Sequence, residues 1–310
     1  MAANLNLKEL SKRPERLSGG HRLCSGCGAS IAVRQILLGT EDPIVVACAT
    51  GCLEVATTIY PYTAWEVPFI HNAFENAAAT ISGVETAYRA LKKQGKIKKK
   101  IKFIAFGGDG GTYDIGLQSL SGALERGHNF VYVCYDNNAY MNTGIQRSSA
   151  TPCGASTTTA PAGKESYGKP QLRKDLTAIC AAHNIPYAAQ LSISNWKDLI
   201  TKSQKAFEVE GPAFLNVLSI CHRGWRIPQE TSVEIAKIAV DTCFWPLYEI
   251  ENGSKYTINY KPKTKRPIED FLKPQGRFKH LFKPENAQLL KDIQAQIDSH
   301  WNLLLKREQQ

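Results

Sequence analysis

The 310-residue sequence predicts an α/β fold built on a mainly parallel sheet flanked by helices, with a C-terminal arm. Three observations carry this. Short β-branched runs alternate with longer helical patterns, the signature of βαβ units. The strand runs are continuously apolar rather than alternating, as strands covered on both faces are. Two of them end in glycine-rich or Asp/Asn-rich turns, the kind of loop that α/β folds set at a ligand crevice.

In chain order, apolar spacing predicts a helix over 29–38, a strand over 43–48 (PIVVAC), a helix over 76–94 and a strand over 101–106 (IKFIAF). A helix over 115–126, a strand over 130–135 (FVYVCY), a helix over 172–183 and a strand over 186–190 follow. A helix over 196–208, a strand over 213–218 (AFLNVL) and a closing helix over 287–305 complete the set. The stretch 147–170 is small, polar and Gly/Pro-rich, too long for an idle connector, and reads as a functional loop. Residues 250–286 form a Pro/Lys-rich arm that wraps a neighbour or the domain itself. With no internal repeat and no second composition regime, the expected organisation is a ligand-binding domain over 1–249. An arm and helix over 250–310 then pack on the same domain or on a partner subunit.

Composition (43% hydrophobic, 21% charged) excludes collagen, coiled coil and bulk disorder. No apolar run approaches the roughly 18 to 20 residues of a membrane span, and the first residues lack a secretory apolar core, so the cytoplasm is the expected compartment. The net charge of +10 gathers in the lysines between Lys92 and Lys102 and in the tail. A basic stripe can track phosphates or steer an acidic partner. No zinc-finger histidine pair, RNP-like aromatic motif or helix-turn-helix pattern accompanies it, so neither a nucleic acid nor a membrane is an expected partner.

The strands ending at Phe106 and Tyr135 carry the chemistry. Gly107-Gly108-Asp109-Gly110-Gly111-Thr112 follows the first and Asp136-Asn137-Asn138-Ala139-Tyr140 the second. Glycines let backbone N–H groups approach a diphosphate, and a helix beginning near Ile115 aims its positive end there. Magnesium takes about six oxygens at about 2.1 Å. Asp109 offers a carboxylate, Asn137 an amide oxygen and Ala139 its carbonyl. Neither a Walker A loop nor a G-x-G-x-x-G fingerprint is present.

Nine cysteines in a reducing compartment do not read as a disulfide framework. Cys24 and Cys27 form a C-x-x-C, Cys48 and Cys52 follow, and Cys221 stands far downstream. Spacing alone permits zinc on Cys24, Cys27, Cys48 and Cys52, a redox pair, or an iron–sulfur cluster with a distant fourth ligand. Cys48, Cys134, Cys180 and Cys243 read as small core residues. Cys153 lies in the glycine-rich loop, where either role is open.

The GDG and DNN turns resemble those of thiamine diphosphate enzymes. The ordered set GHRLCSGCG, ATGCLEV, IHNAFENAAA, GGDGGTYDIGLQSLSGALERG, YDNNAYMNTGIQRS and CHRGW, with the tail TCFWPLYEI and KPQGRFKHLFKPEN, resembles the thiamine-diphosphate β subunit of pyruvate:ferredoxin oxidoreductase and its relatives over essentially the whole chain. The resemblance implies a thiamine-diphosphate-binding fold and oxidative decarboxylation of pyruvate, reversible and coenzyme A-dependent, with electrons passing through a 4Fe-4S cluster to ferredoxin. It implies that Cys24, Cys27, Cys52 and Cys221 hold the cluster. Asp109, Asn137 and the Ala139 carbonyl match the Mg2+ ligands; Gly108, Gly110, Gly111 and Thr112 belong to the coenzyme loop; Asn142 faces the oxoacid. Cys221-His222 and Asn138 stand where pyruvate-branch relatives often carry Cys-Pro and glycine, which leaves an oxalate-cleaving member, independent of coenzyme A, as the alternative. His222 either donates a hydrogen bond near a cluster sulfur or is an exposed bystander.

The family's divided forms imply an α subunit that supplies the carboxylate for the aminopyrimidine ring and the substrate pocket. Glu54 and Glu75 are the local candidates for that carboxylate. The chain has no C-x-x-C-x-x-C-x-x-x-C ferredoxin run, so onward wiring is expected in ferredoxin-like γ/δ subunits. The competing class is a non-enzymatic, zinc-stabilised binding module.

Overall fold

The computed structural model describes residues 5–310. Eight strands, β1 Ile44–Ala49, β2 Phe69–Asn72, β3 Lys102–Gly108, β4 Val131–Asp136, β5 Tyr187–Ser192, β6 Ala213–Leu218, β7 Tyr248–Glu251 and β8 Lys255–Ile258, form one sheet in the order β2-β1-β3-β4-β6-β5-β7-β8. The first six pair in parallel; β7 and β8 add antiparallel at one edge. The helices are α1 Leu7–Leu10, α2 Gly28–Leu37, α3 Cys52–Thr57, α4 Ala77–Lys93, α5 Leu117–Glu125, α6 Leu176–Ala181, α7 Trp196–Glu208, α8 His222–Trp225, α9 Ser232–Asp241, α10 Ile268–Leu272 and α11 Ala287–Glu308.

Alternate side chains along each strand feed two cores, one per face. Val46, Ile104, Phe106 and Val133 meet α2, α7 and α9 on one face, while Ala47, Phe103, Ala105 and Tyr132 meet α4, α5 and α6 on the other. Both faces are covered, and for that reason the strand sequences show no polar alternation. Among the described residues no helix is long and apolar enough to cross a membrane.

The five predicted strands are present within two residues of their expected ends. β2 escapes the pattern because His71 and Asn72 break its apolar run at a sheet edge. The β7–β8 hairpin had a readable signal, Asn252-Gly253, and both residues take left-handed φ (51° and 74°) in its turn. The helix expected from Ile115 begins earlier: Gly110–Ile115 form a π-helical turn, closed by Gly116 N–H on the Gly111 carbonyl at 2.7 Å, before α5 starts. The helix expected over 172–183 starts only at α6, where the Asp175 carboxylate caps Ala178 N–H, because Arg173 and Lys174 are drawn to Asp136 and to the Tyr113 carbonyl.

Apolar residues of the arm, among them Ile268, Phe271, Phe278 and Leu281, join the core of this chain. The division at 249/250 falls inside β7, and α11 is tied to β8 by the Glu308 carboxylate accepting from Ile258 N–H at 2.8 Å.

Candidate functional site

Because β1, β3, β4 and β6 are parallel neighbours, the loops at their carboxyl ends lie side by side, the edge at which α/β folds bind ligands. β1 runs into Thr50-Gly51-Cys52, β3 ends at Gly108 beside Asp109, β4 at Asp136 beside Asn137, and β6 leads through Ser219-Ile220 to Cys221. Four strands thus bring together residues that the sequence scatters over its first 221 positions.

A narrow crevice on this edge is lined by Gly108, Asp109, Gly110, Gly111, Asn137 and Ala139, with Phe74 and Tyr140 as aromatic walls. Its glycines leave no room for side chains: a Cβ on Gly110 would lie 2.3 Å from the Tyr140 ring, and one on Gly111 2.7 Å from the Phe74 carbonyl oxygen. A floor of bare backbone at the start of a helical segment suits an anion such as a diphosphate.

Asp109 is buried, its Oδ1 accepting from Asn137 N–H at 3.2 Å and its Oδ2 from the Ser148 hydroxyl at 2.5 Å. Burial, and then the charge of Asp136, push its pKa well above the usual carboxylate range. A cation beside it favours the ionised form. One terminal atom of the Asn137 amide lies 2.9 Å from Asp109 Oδ1 and 2.9 Å from the Ala139 carbonyl oxygen. With nitrogen at that position the amide donates to both. With oxygen there, three oxygens converge, a donor set that fits magnesium.

A second cavity, of about 320 Å³, adjoins the crevice and shares Cys52, Asn137 and Asn142 with it. Cys24, Cys27, Cys52 and Cys221 all line it. Gly28 N–H donates to the Ile220 carbonyl at 3.0 Å and so docks the C-x-x-C loop against the Cys221 loop. Gly26 is held at φ 76°, where a Cβ would meet the Gln229 carbonyl oxygen at 2.3 Å. Burial, with charge on the neighbouring cysteines adding to it, pushes the thiols up, to about 11 for Cys27 and about 12 for Cys52. Thiols this reluctant to ionise alone become thiolates when a positive metal centre binds them. Among the described residues no three His, Cys, Asp or Glu side chains close to the spacing of a single metal ion. The cavity's volume and its four sulfur donors fit a cluster.

A polar scaffold underlies both cavities. Asp136, fully buried, accepts from Arg173 Nη2 at 2.7 Å, Tyr113 Oη at 2.7 Å, and the backbone and amide N–H of Asn138 at 3.0 and 2.6 Å. That grip holds Asn138 at φ 68°, a left-handed conformation Asn tolerates. Glycine and asparagine both tolerate this backbone conformation, so either residue type fits the turn. Trp225 Nε1–H donates to the Asn137 carbonyl at 2.8 Å, and Arg277, from the arm, lies 3.9 Å over the Trp225 ring and donates to Asn138 Oδ1 at 3.1 Å. The loop over 147–170 contributes Ser148 to Asp109 and Thr151, whose hydroxyl donates to the Asn138 carbonyl at 2.6 Å.

Of the residues singled out from sequence, Gly108, Asp109, Gly110, Gly111, Asn137, Ala139 and the four cysteines meet at these two cavities. Asn142 is exposed at their junction. Thr112 is placed differently: it is fully buried, its hydroxyl donates to the Gly108 carbonyl at 2.7 Å, and it braces the turn rather than lining the crevice. Cys48 belongs to the core with Cys134, Cys180 and Cys243, so the zinc quartet with Cys48 is not assembled. Cys153 is half-buried with its thiol 3.5 Å from the Pro170 carbonyl, remote from the other cysteines' cavity. Glu54 is buried and held by His71 Nδ1 at 2.6 Å and the Thr58 hydroxyl at 2.5 Å, while Glu75 is exposed; neither lines a cavity. His222 lines the cysteine cavity with Nδ1 unpartnered among the described residues. Sequence reasoning assigned no role to Asp136, Ser148, Trp225 or Arg277, since each acts through a partner far away in the chain.

Residues 49–217 match the family described as thiamine pyrophosphate enzyme, C-terminal TPP binding domain. The chain is 54% identical over 317 residues to the pyruvate synthase subunit PorB of Thermotoga maritima, spanning 98% of this chain and 97% of the relative. It is 52% identical over 294 residues to the pyruvate synthase subunit PorB of Methanocaldococcus jannaschii, spanning 94% of this chain and 97% of that one. A solved structure of the 2-oxoglutarate:ferredoxin oxidoreductase from Magnetococcus marinus, with 2-oxoglutarate, coenzyme A and succinyl-CoA bound, superposes with a TM-score of 0.56 at 21% identity over 76% of this chain and 81% of that one, a likeness of fold. The chain belongs to the thiamine-pyrophosphate-binding β-subunit family of the 2-oxoacid:ferredoxin oxidoreductases, alongside the pyruvate synthase PorB subunits.

Proposed function

We propose that this chain is the β subunit of a pyruvate:ferredoxin oxidoreductase of the cytoplasm, working with coenzyme A, an α subunit, ferredoxin-like γ/δ subunits and ferredoxin. The observation that carries the reading is the junction of the two cavities: Cys52, Asn137 and Asn142 line both, so a coenzyme site and a cluster site adjoin. Relatives named pyruvate synthase, identical over half their length-matched positions, favour pyruvate over oxalate.

In this reading Asp109, Asn137 and the Ala139 carbonyl hold Mg2+ on the diphosphate, and the Gly108–Gly111 backbone cradles it. Bound thiamine diphosphate supplies the electron sink that lets the carboxyl group of an oxoacid leave. Phe74 and Tyr140 keep water from the crevice, and Asn142 presents its amide to the oxoacid. Cys24, Cys27, Cys52 and Cys221 hold a 4Fe-4S cluster within reach of the coenzyme.

The test is an anaerobic dye-reduction assay of the assembled complex with pyruvate, oxalate and 2-oxoglutarate, each with and without coenzyme A. Pyruvate-dependent reduction that requires coenzyme A is expected; reduction by oxalate without it overturns the substrate assignment. Asp109→Ala is expected to lose the coenzyme while keeping its iron, which metal and thiamine analysis of the purified variant checks.

A further inference from the structure

Arg277 is 2% exposed, yet its hydrogen bonds run to neutral oxygens: Nε donates to Gln275 Oε1 at 2.9 Å and Nη2 to Asn138 Oδ1 at 3.1 Å. No carboxylate pairs with it among the described residues. A buried guanidinium without a counter-ion is costly. The charges that bear favourably on it are those of Cys221, Asp136 and Asp109. Two of these are residues of the cysteine cavity and the crevice. In the cofactor reading, thiolates on a cluster at Cys221 and phosphates at Asp109 would place lasting negative charge in the two cavities those residues line.

Its contacts join the same two sites mechanically. The guanidinium lies 3.9 Å over Trp225, in the short helix α8 that starts directly after Cys221. The Trp225 indole N–H fixes the Asn137 carbonyl, and the Arg277 fork fixes the next side chain, Asn138. The arm is anchored around it: Ser156 N–H donates to the Arg277 carbonyl at 3.0 Å, and Gly276 N–H to the Arg226 carbonyl at 3.3 Å.

We infer that Arg277 is a positioning residue and the shared buried counter-charge of the two cofactor sites, setting the span between Asn137 and Cys221 and raising the reduction potential of the cluster that Cys221 holds. This rests on the cofactor reading above. A fixed positive charge near a cluster favours its reduced, more negative state. Loss of the charge moves the potential downward, whereas loss of the hydrogen bond loosens the Asn137–Asn138 turn and weakens coenzyme binding.

The two effects separate in three variants of the assembled complex, read by redox titration of the cluster signal and by thiamine diphosphate affinity. Arg277→Met is expected to lower the potential and weaken the coenzyme about tenfold, the scale of one hydrogen bond from a charged donor, with iron content unchanged. Arg277→Lys keeps the charge and is expected to hold the potential near that of the parent while weakening the coenzyme. Asn138→Ala removes the acceptor, together with the amide's bond to Asp136, while leaving the Arg277 charge in place, and is expected to weaken the coenzyme with no change in potential; it keeps the test sharp where Arg277→Met fails to fold. An unchanged potential in iron-loaded Arg277→Met, or a potential lowered in Asn138→Ala as much as in Arg277→Met, overturns the inference and leaves the cofactor reading standing. A parent complex with neither iron nor thiamine diphosphate overturns that reading, and this inference with it.

Discussion

Cys48 and Cys52 leave one strand four residues apart and meet opposite fates. Cys48 is fully buried within β1, where burial drives its thiol well above the ordinary cysteine value. Cys52 lies past the end of the strand at the first position of α3 and faces Cys24, Cys27 and Cys221 across a cavity. Position relative to the strand end decides between core residue and cavity wall. Cys48→Ala is therefore expected to retain about four irons per chain and to cost on the order of 1 kcal/mol of stability. Cys221→Ser is expected to lose the cluster absorbance. Iron analysis and visible spectra check both, and a Cys221→Ser protein with its full iron content would remove Cys221 from the quartet. The C-x-x-C pair was legible from spacing, and so was Cys48 as core, from its place at the end of an apolar run. Spacing could not reach Cys221, which joins the others only because β6 lies two strands from β1's neighbour in the sheet. The placement of Thr112 has a local cause: its hydroxyl turns back to the carbonyl of Gly108 at the end of its own strand.

Elements show the same division between local and distant causes. The buried parallel strands were readable because a strand covered on both faces has no polar alternation to obscure it, whereas β7 and β8 depended on noticing one Asn-Gly turn. The loop over 147–170 read as functional from composition alone, but its means of support did not. Lys169 is buried, and its ammonium donates to the Thr151 carbonyl at 2.6 Å, with the Ser149 and Leu172 carbonyls at 3.4 Å. Burial, then the charges of Arg147 and Arg173, pull its pKa down from 10.5 to about 8. The unfolded chain therefore binds the proton more tightly than the folded one. Below about pH 8 the buried ammonium burdens the fold, and as pH rises from about 8 toward 10.5 that burden is lifted, so stability gains with pH in this window. Melting of the parent chain measured against Lys169→Met should show the difference shifting in favour of the parent between pH 8 and pH 10. A flat or falling difference would mean that Lys169 keeps its proton in the folded loop.

At the scale of the whole molecule, the site lies on the sheet edge where one chain ends its contribution. In the proposed reading this chain brings the diphosphate cradle, the three oxygens and the four cysteines to that edge. Thiamine catalysis also needs a carboxylate on the aminopyrimidine ring, and the two local candidates are spoken for or misplaced. Glu54 is buried in its bonds to His71 and Thr58, and Glu75 faces solvent outside both cavities. Asn142, at the junction, is exposed. The net charge of +10 gives the surface a field suited to acidic partners rather than to a solitary life. These three features share a consequence: the purified chain, loaded anaerobically with iron, sulfide, Mg2+ and thiamine diphosphate, should hold its cofactors and yet give no pyruvate-dependent dye reduction. Addition of the α subunit should restore reduction of the dye, and rising salt should weaken that restoration, because a basic surface recruits its partner partly by charge. Turnover by the loaded chain alone would show that Glu54 or Glu75 can leave its present contacts to serve the coenzyme, and Glu54→Gln and Glu75→Gln would then tell which one does.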